Sequence, residues 1–238
     1  MSLVATLILV FALPVEQLER ANKLYEAGRF ADAIVLYDSA AQQVAAVEIY
    51  YNRGNAHFKL GRLGRALADY LRAWALKPHD PDITGNIAFV RNFRPDKNPN
   101  PESPLTAMVR NLLTPFDRLT TRFFAGLLFF VLALCLGLYL STGKKFLGYG
   151  AIGLTVVFIY FGVGTLIWQG VINRAKAVVV VTEAILRSGP GEEYKEIAAV
   201  HDGLEVKIVE RRPGFVLIQI PGGVGGWVED QAVERIFE

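Results

Sequence analysis

Two runs without a single charge constrain this chain more than anything else in it. The first, Phe123 to Gly143, is 21 residues long, and the second, Leu147 to Gln169, is 23. A helix needs about 20 apolar residues to cross the hydrocarbon of a bilayer. Neither run has the polar stripe that a surface helix of a soluble protein carries. Only Lys144, Lys145 and Phe146 separate them. The pattern predicts two transmembrane helices, 123–143 and 147–169, joined as a hairpin; a buried hairpin of a soluble domain is the competing reading. A hairpin returns the chain to the side it left, so the segments before Phe123 and after Gly170 are expected in one compartment, as two soluble modules held together at one membrane face. Neither run contains Asp, Glu, Lys, Arg or His, the groups an ion or proton path is built from, and transport is not expected. Ala133, Gly137 and Ser141, spaced by four, predict the face on which the two helices approach, with a dimer contact as the alternative. Cys135 is the only cysteine, which excludes an internal disulfide and reads as a packing residue.

The chain starts with MSLVATLILVFALPV, residues 1–15. This run is too short to span and fits the apolar region of a secretory signal peptide, with Val10 and Ala12 at the −3 and −1 positions of a cleavage site. It lacks the usual leading Lys or Arg. A misassigned start or an apolar first turn of helix are the alternatives.

Residues 16–94 contain an internal repeat. Ala21 matches Gly54, Gly28 matches Gly61, Ala33 matches Ala66, Tyr37 matches Tyr70 and Ala40 matches Ala73, every pair offset by 33. Small residues at the matched positions let paired helices approach closely, and the glycines permit the turn between them. Pro78 closes the second unit. Period and residue types resemble tetratricopeptide repeats. The resemblance implies stacked helix pairs whose inner face lines a peptide groove, here Asn22, Tyr25, Asn52, Asn55, Phe58 and Lys59. The other reading of that face is that Tyr25 and Phe58 are partly core and the Asn residues merely solvated. Residues 81–94, with Asp82 as candidate N-cap and Ile83, Ile87 and Val90 on one side, predict a capping helix.

The stretch 95–104, PDKNPNPESP, has four prolines and reads as an extended linker. Residues 105–122 place Leu105, Met108, Val109, Leu112 and Leu113 on one face with Arg110 opposite, which suggests either a helix lying at the bilayer surface or one packed on the repeats. Residues 177–238 turn to short Val- and Ile-rich runs cut by Gly and Pro, a β pattern. The segment resembles bacterial SH3 domains in Leu186-Arg187-Ser188-Gly189-Pro190-Gly191 followed by Tyr194, in Gly203 with Val206, Ile208 and Glu210, and in Gly226-Trp227-Val228. That resemblance implies a small closed barrel whose ligand surface would be Tyr194, Phe215 and Trp227. Phe215 stands where the family commonly has Trp. The expected architecture is therefore a multidomain membrane protein: an all-α tetratricopeptide helical repeat, a transmembrane helical hairpin and an all-β SH3-like barrel.

Topology has two opposed signals. Two lysines lie in the turn, whereas Arg110, Arg118, Arg122, Arg174 and Lys176 flank the outer ends, which by the positive-inside rule puts both modules in the cytoplasm. The signal-like start and the SH3 resemblance point the other way, to an extracytoplasmic location at the bacterial inner membrane. Catalysis is not expected. His57, His79 and His201 are scattered, no metal signature or cofactor motif is present, Gly222–Gly226 lacks the Lys of a phosphate loop, and Glu192-Glu193 reads as a solvated pair. A net charge of +2 gives no reason to expect nucleic acid. The module order resembles BatE-type proteins of the Bacteroides aerotolerance operon. That resemblance implies a membrane-anchored adaptor with von Willebrand-type Bat partners, serving aerotolerance or envelope stress tolerance. A peptidoglycan-binding wall tether and an accessory subunit of a transport complex are the alternatives.

Overall fold

The computed structural model describes residues 3–96, 103–174 and 177–236, with the backbone alone at 3–14 and 171–174. Its contacts divide it into two units, Met1–Asn100 with Arg174–Glu238, and Pro101–Asn173.

The first unit begins with five helices: α1 (Leu3–Glu26), α2 (Phe30–Ala41), α3 (Val47–Lys59), α4 (Leu63–Leu76) and α5 (Pro81–Phe93). Helices α1–α2 and α3–α4 are the two repeat pairs. Their turns are built alike. Gly28 and Gly61 adopt φ of 74° and 72°, a left-handed backbone that favours glycine. In each turn the glycine N–H and the next N–H reach back to the ends of the preceding helix, Gly28 to Tyr25 and Arg29 to Leu24, then Gly61 to Phe58 and Arg62 to His57. This double closure satisfies carbonyls that the helix end leaves open. Gly54 is required for a different reason: a Cβ there would lie 2.8 Å from the Tyr70 ring. Helix α1 runs unbroken across residues 15 and 16, the expected boundary between the signal-like stretch and the first module, so the two are continuous in one helix. The side chains of Val10 and Ala12, the expected cleavage positions, lie outside the described ones.

The capping helix α5 forms, but its N-cap is Asp80, not Asp82. The Asp80 carboxylate accepts from the N–H groups of Asp82 and Ile83. Pro81 explains the choice, because its ring presets the first helical residue and needs no N–H partner.

Seven strands complete this unit: β1 (Ala177–Val179), β2 (Glu183–Arg187), β3 (Glu196–His201), β4 (Glu205–Arg212), β5 (Phe215–Gln219), β6 (Gly225–Glu229) and β7 (Val233–Arg235). All pair antiparallel in the order β3-β2-β6-β5-β4-β1-β7. Strands β3 and β7 end the order, so the expected closed barrel is open along one seam. Its inward side chains still meet in one core of Ala177, Leu186, Val200, Val206, Val216, Ile218 and Val228.

The helices and the strands share a core here. Val178 and Ile236 leave the β core and join the apolar cluster of α4 and α5, with Leu67, Leu71, Ile83, Ile87 and Val90. Strand β1 is buried at all three residues because it faces the β core on one side and the helices on the other. At the start of the expected linker, residues 95 and 96 are neither helix nor strand, and Asp96 is tied to His201 on β3, accepting its backbone N–H at 2.7 Å. Most of the remaining expected linker, 97–102, lies outside the described residues.

The second unit has three helices: α6 (Pro104–Leu113), α7 (Arg118–Thr142) and α8 (Lys145–Arg174). The last two are long and apolar enough to cross a membrane. The expected single surface segment 105–122 is cut in two, since Pro115 interrupts it and Asp117 caps α7 through the N–H groups of Leu119 and Thr120. Gly143, at φ 64°, ends α7. Ala133, Gly137 and Ser141 do not pack the hairpin. All three are exposed, and a Cβ on Gly137 would meet nothing. The short turn fixes the register so that another face of α7 meets α8: Tyr139 lies over Gly148, and the Cys135 thiol reaches the Leu147 carbonyl at 3.3 Å. At the opposite end Tyr160 donates to the Leu112 carbonyl at 2.7 Å and Trp168 to that of Phe116 at 3.1 Å. These two rings tie the helix break between α6 and α7 to α8 and satisfy carbonyls that no helix uses.

Candidate binding surfaces

The expected groove residues form a repeated polar file. The Asn22 carbonyl oxygen accepts from the Tyr37 hydroxyl at 2.7 Å and from the Asn52 amide at 3.0 Å. Thirty-three residues on, the Asn55 oxygen accepts from the Tyr70 hydroxyl at 2.7 Å and from the Asn86 amide at 3.3 Å. The asparagine oxygens are thereby committed within the fold, and amide hydrogens are what the file has to offer a peptide carbonyl. Burial pushes the Tyr37 phenol up to about 12, so it stays a donor at any physiological pH. Tyr25 packs edge-on against Phe30 at 5.2 Å between ring centres. Phe58 starts an aromatic file, 5.7 Å from Phe89, which lies 4.7 Å from the exposed Phe93. Lys59 is exposed at the end of α3 and makes no ion pair among the described residues. Asn86 was missed, although its distance from Asn52 is close to the repeat period.

On the β module, Leu217 and Arg187 both lie opposite Trp227, and Phe215 lies opposite Glu229. Val216, Ile218 and Val228 fill the core, so strand alternation puts Phe215, Leu217 and Trp227 on the outer face. Trp227 is nonetheless only 7% exposed. The Arg212 guanidinium stacks over it, 5.2 Å from the ring centre, and is itself held by Glu210 at 2.9 Å. Tyr194 is 42% exposed, and its carbonyl accepts from Arg187 at 3.2 Å. The three aromatic residues singled out from sequence thus include two on one face and a third linked to it through Arg187.

A third cluster was not anticipated. Asp69, 1% exposed, accepts from Arg53 and Arg72. Arg53 also bonds Asp38, and Arg72 bonds Glu234 on β7 together with the Arg235 carbonyl. An ion chain therefore runs Asp38–Arg53–Asp69–Arg72–Glu234, from the first repeat through the second into the β module. Arg91 grips Glu205 with two bonds of 2.7 and 2.8 Å, and Arg94 adds one of 3.1 Å. At the start of α4, where no helix side chain caps, Asp202 accepts the Gly64 N–H at 3.0 Å. Burial raises the Asp202 carboxyl even so. Gly64 is obligatory: a Cβ would lie 2.1 Å from the Val179 carbonyl oxygen. His57 sits beside the network, 4.0 Å from Asp69. Burial lowers it to about 4, helped by Arg53, Arg65 and Arg62 and opposed by Asp69. The pairings that reach the β module, Arg72 with Glu234, Arg91 with Glu205 and Gly64 with Asp202, join residues more than 100 apart in the chain, which is why spacing did not reveal them.

Comparison with known families agrees with both modules. Residues 47–80 match the family model described as tetratricopeptide repeat, and residues 182–234 match that described as bacterial SH3 domain. A search of curated proteins gives no match. The chain carries a tetratricopeptide repeat and a bacterial SH3 domain.

Proposed function

We propose that this chain is a non-catalytic, membrane-anchored adaptor of the bacterial envelope, with α7 and α8 as its anchor and the repeat groove as its protein-binding surface. One observation carries the reading. Two helices of spanning length, without a charge through their centres, are almost wholly exposed along their sides, with none of the apolar window of α7 buried. In water such a surface is a liability, and in lipid it is what a span requires. Exposed Leu105, Met108 and Leu112 on α6, tied beside Trp168 at the end of α8 away from the turn, fit a helix lying in the interface. Protein binding is the expected use of tetratricopeptide repeats, and the bacterial SH3 domain favours the outer side of the inner membrane. The BatE-like module order supports a role in aerotolerance or envelope stress, with von Willebrand-type partners.

A reporter active only outside the cytoplasm, fused after Glu238, tests this. An active fusion is expected. An inactive, well-expressed fusion with a working cytoplasmic reporter at the same point would sink the envelope location and vindicate the charge count. A wall-binding tether is the second reading, favoured by exposed Tyr194 beside the Phe215–Trp227 face. Retention of the full chain on purified peptidoglycan, lost on Trp227→Ala with the fold intact, would select it.

A further inference from the structure

An open groove of about 610 Å³ lies between α7 and α8. Leu132, Leu136 and Tyr139 of α7 wall one side, and Lys145, Ala151 and Thr155 of α8 are among those on the other. The walls are mostly apolar, with Tyr139, Tyr149 and Thr155 as their uncharged polar residues, and the one charged group, Lys145, stands at the end by the turn. From Lys145 to Thr155 the helix rises about 15 Å, half of the roughly 30 Å hydrocarbon core. The groove is therefore one leaflet deep, with a cation at its mouth. No acidic residue occurs anywhere from Arg118 to Arg174, and neither Lys144 nor Lys145 makes an ion pair among the described residues, so the positive charge of the turn is uncompensated.

We propose that this groove binds one acidic phospholipid, its acyl chain lying between α7 and α8 and its phosphate on Lys145. The inference rests on the membrane reading. Depth, apolar lining and charge at a single end match a lipid with a negatively charged headgroup. A second copy of the chain would bring its own lysines to the same mouth and leave them unpaired.

Native mass spectrometry of the full chain released from detergent tests it, with phosphatidylglycerol and phosphatidylcholine as probes. Phosphatidylglycerol should be retained about fivefold better, the preference expected of one lysine at an acidic surface. Lys145→Gln should reduce it to the phosphatidylcholine level. Ala151→Phe, which fills the groove and spares Lys145, should abolish retention of both, which separates a lipid from free phosphate at the lysine. Leu140→Phe, on an exposed part of α7 outside the groove, should change nothing. Equal retention of the two lipids, retention unaffected by both groove substitutions with helical content preserved, or a lipid-free two-copy species would overturn the proposal. Alkaline extraction of membranes separates the failures. A chain that stays in the membrane without lipid preference loses only this inference, and a chain that washes out loses the anchor as well.

Discussion

The helix pairs α1–α2 and α3–α4 are built on the same positions 33 residues apart, yet among the described residues it is the second that packs on the β module. The shared positions carry the fold: Gly28 and Gly61 close the turns, Ala33 and Ala66 pack, and Tyr37 and Tyr70 each bond an asparagine of the preceding helix. The positions that differ carry the docking. Where the first repeat has Leu24, Leu36, Ala31 and Ser39, the second has His57, Asp69, Gly64 and Arg72. Leu24 and Leu36 pack on an ordinary apolar cluster, while their counterparts sit in a buried ion network. A repeat thus keeps its skeleton and exchanges its outer packing residues for charges that recognise one particular neighbour. Buried ion pairs contribute little net stability and more often fix which surfaces meet.

Making the second repeat resemble the first is the way to break this comparison. Asp69→Asn should have the largest effect. It leaves Arg53 and Arg72 without their buried anion, a loss of about 3–5 kcal/mol, read by chemical denaturation of the full chain in micelles. Hydrogen exchange should rise in β1 and β7. Leu36→Ala should lower stability without that rise, and equal exchange in both variants would refute the docking role of Asp69.

His57 gives an acid dependence that its counterpart Leu24 cannot. The unfolded chain takes up a proton near pH 6.5 that the folded chain refuses until about pH 4. Stability therefore falls as pH drops through that window, by at most about 3 kcal/mol, and is unaffected by this group above it. His57→Leu should flatten that part of the stability profile. An unchanged profile would place the acid sensitivity elsewhere.

Gly64→Ala should cost about 1–3 kcal/mol, the usual range for an overpacked contact, and should speed exchange in β1. Ala31→Gly, at the equivalent exposed site, should cost under about 1 kcal/mol and leave β1 unchanged. The smallest effects sharpen the likeness rather than the difference. Tyr37→Phe and Tyr70→Phe each remove one hydrogen bond of 2.7 Å and should each cost about 1 kcal/mol. A large inequality between them would mean that the polar file is not truly repeated.

Spacing made the skeleton readable. Period 33 located the turns and the matched Tyr37 and Tyr70, uncharged length located α7 and α8, and Val-rich alternation located the strands. The docking was unreadable because it depends on pairs such as Arg91 with Glu205, 114 residues apart, and no local pattern says which arginine meets which carboxylate. Its trace was nevertheless present: a buried repeat position changing from Leu36 to Asp69 announces that something must compensate the charge. The hairpin face was misjudged because Ala133, Gly137 and Ser141 record only where approach is permitted. The register set by Gly143 and the turn decides where it happens. Asp80 was overlooked in favour of Asp82, although Pro81 between them marks the first helical residue.

The bond from Gly64 to Asp202 spans 138 residues. On a ribosome adding about 5–20 residues each second, α4 exists for roughly 7–30 s before its cap has been made, and both apolar runs are synthesised in that interval. Throughout it, Leu67, Leu71 and Val90 lack the Val178 and Ile236 side chains that later cover them. The repeats are consequently born unfinished, and their completion reports that β1 and β7 have been translated and have reached the same compartment. A chain cut short before β1, or one whose two halves were delivered to opposite sides of a membrane, would keep that apolar face open for chaperones and proteases to find.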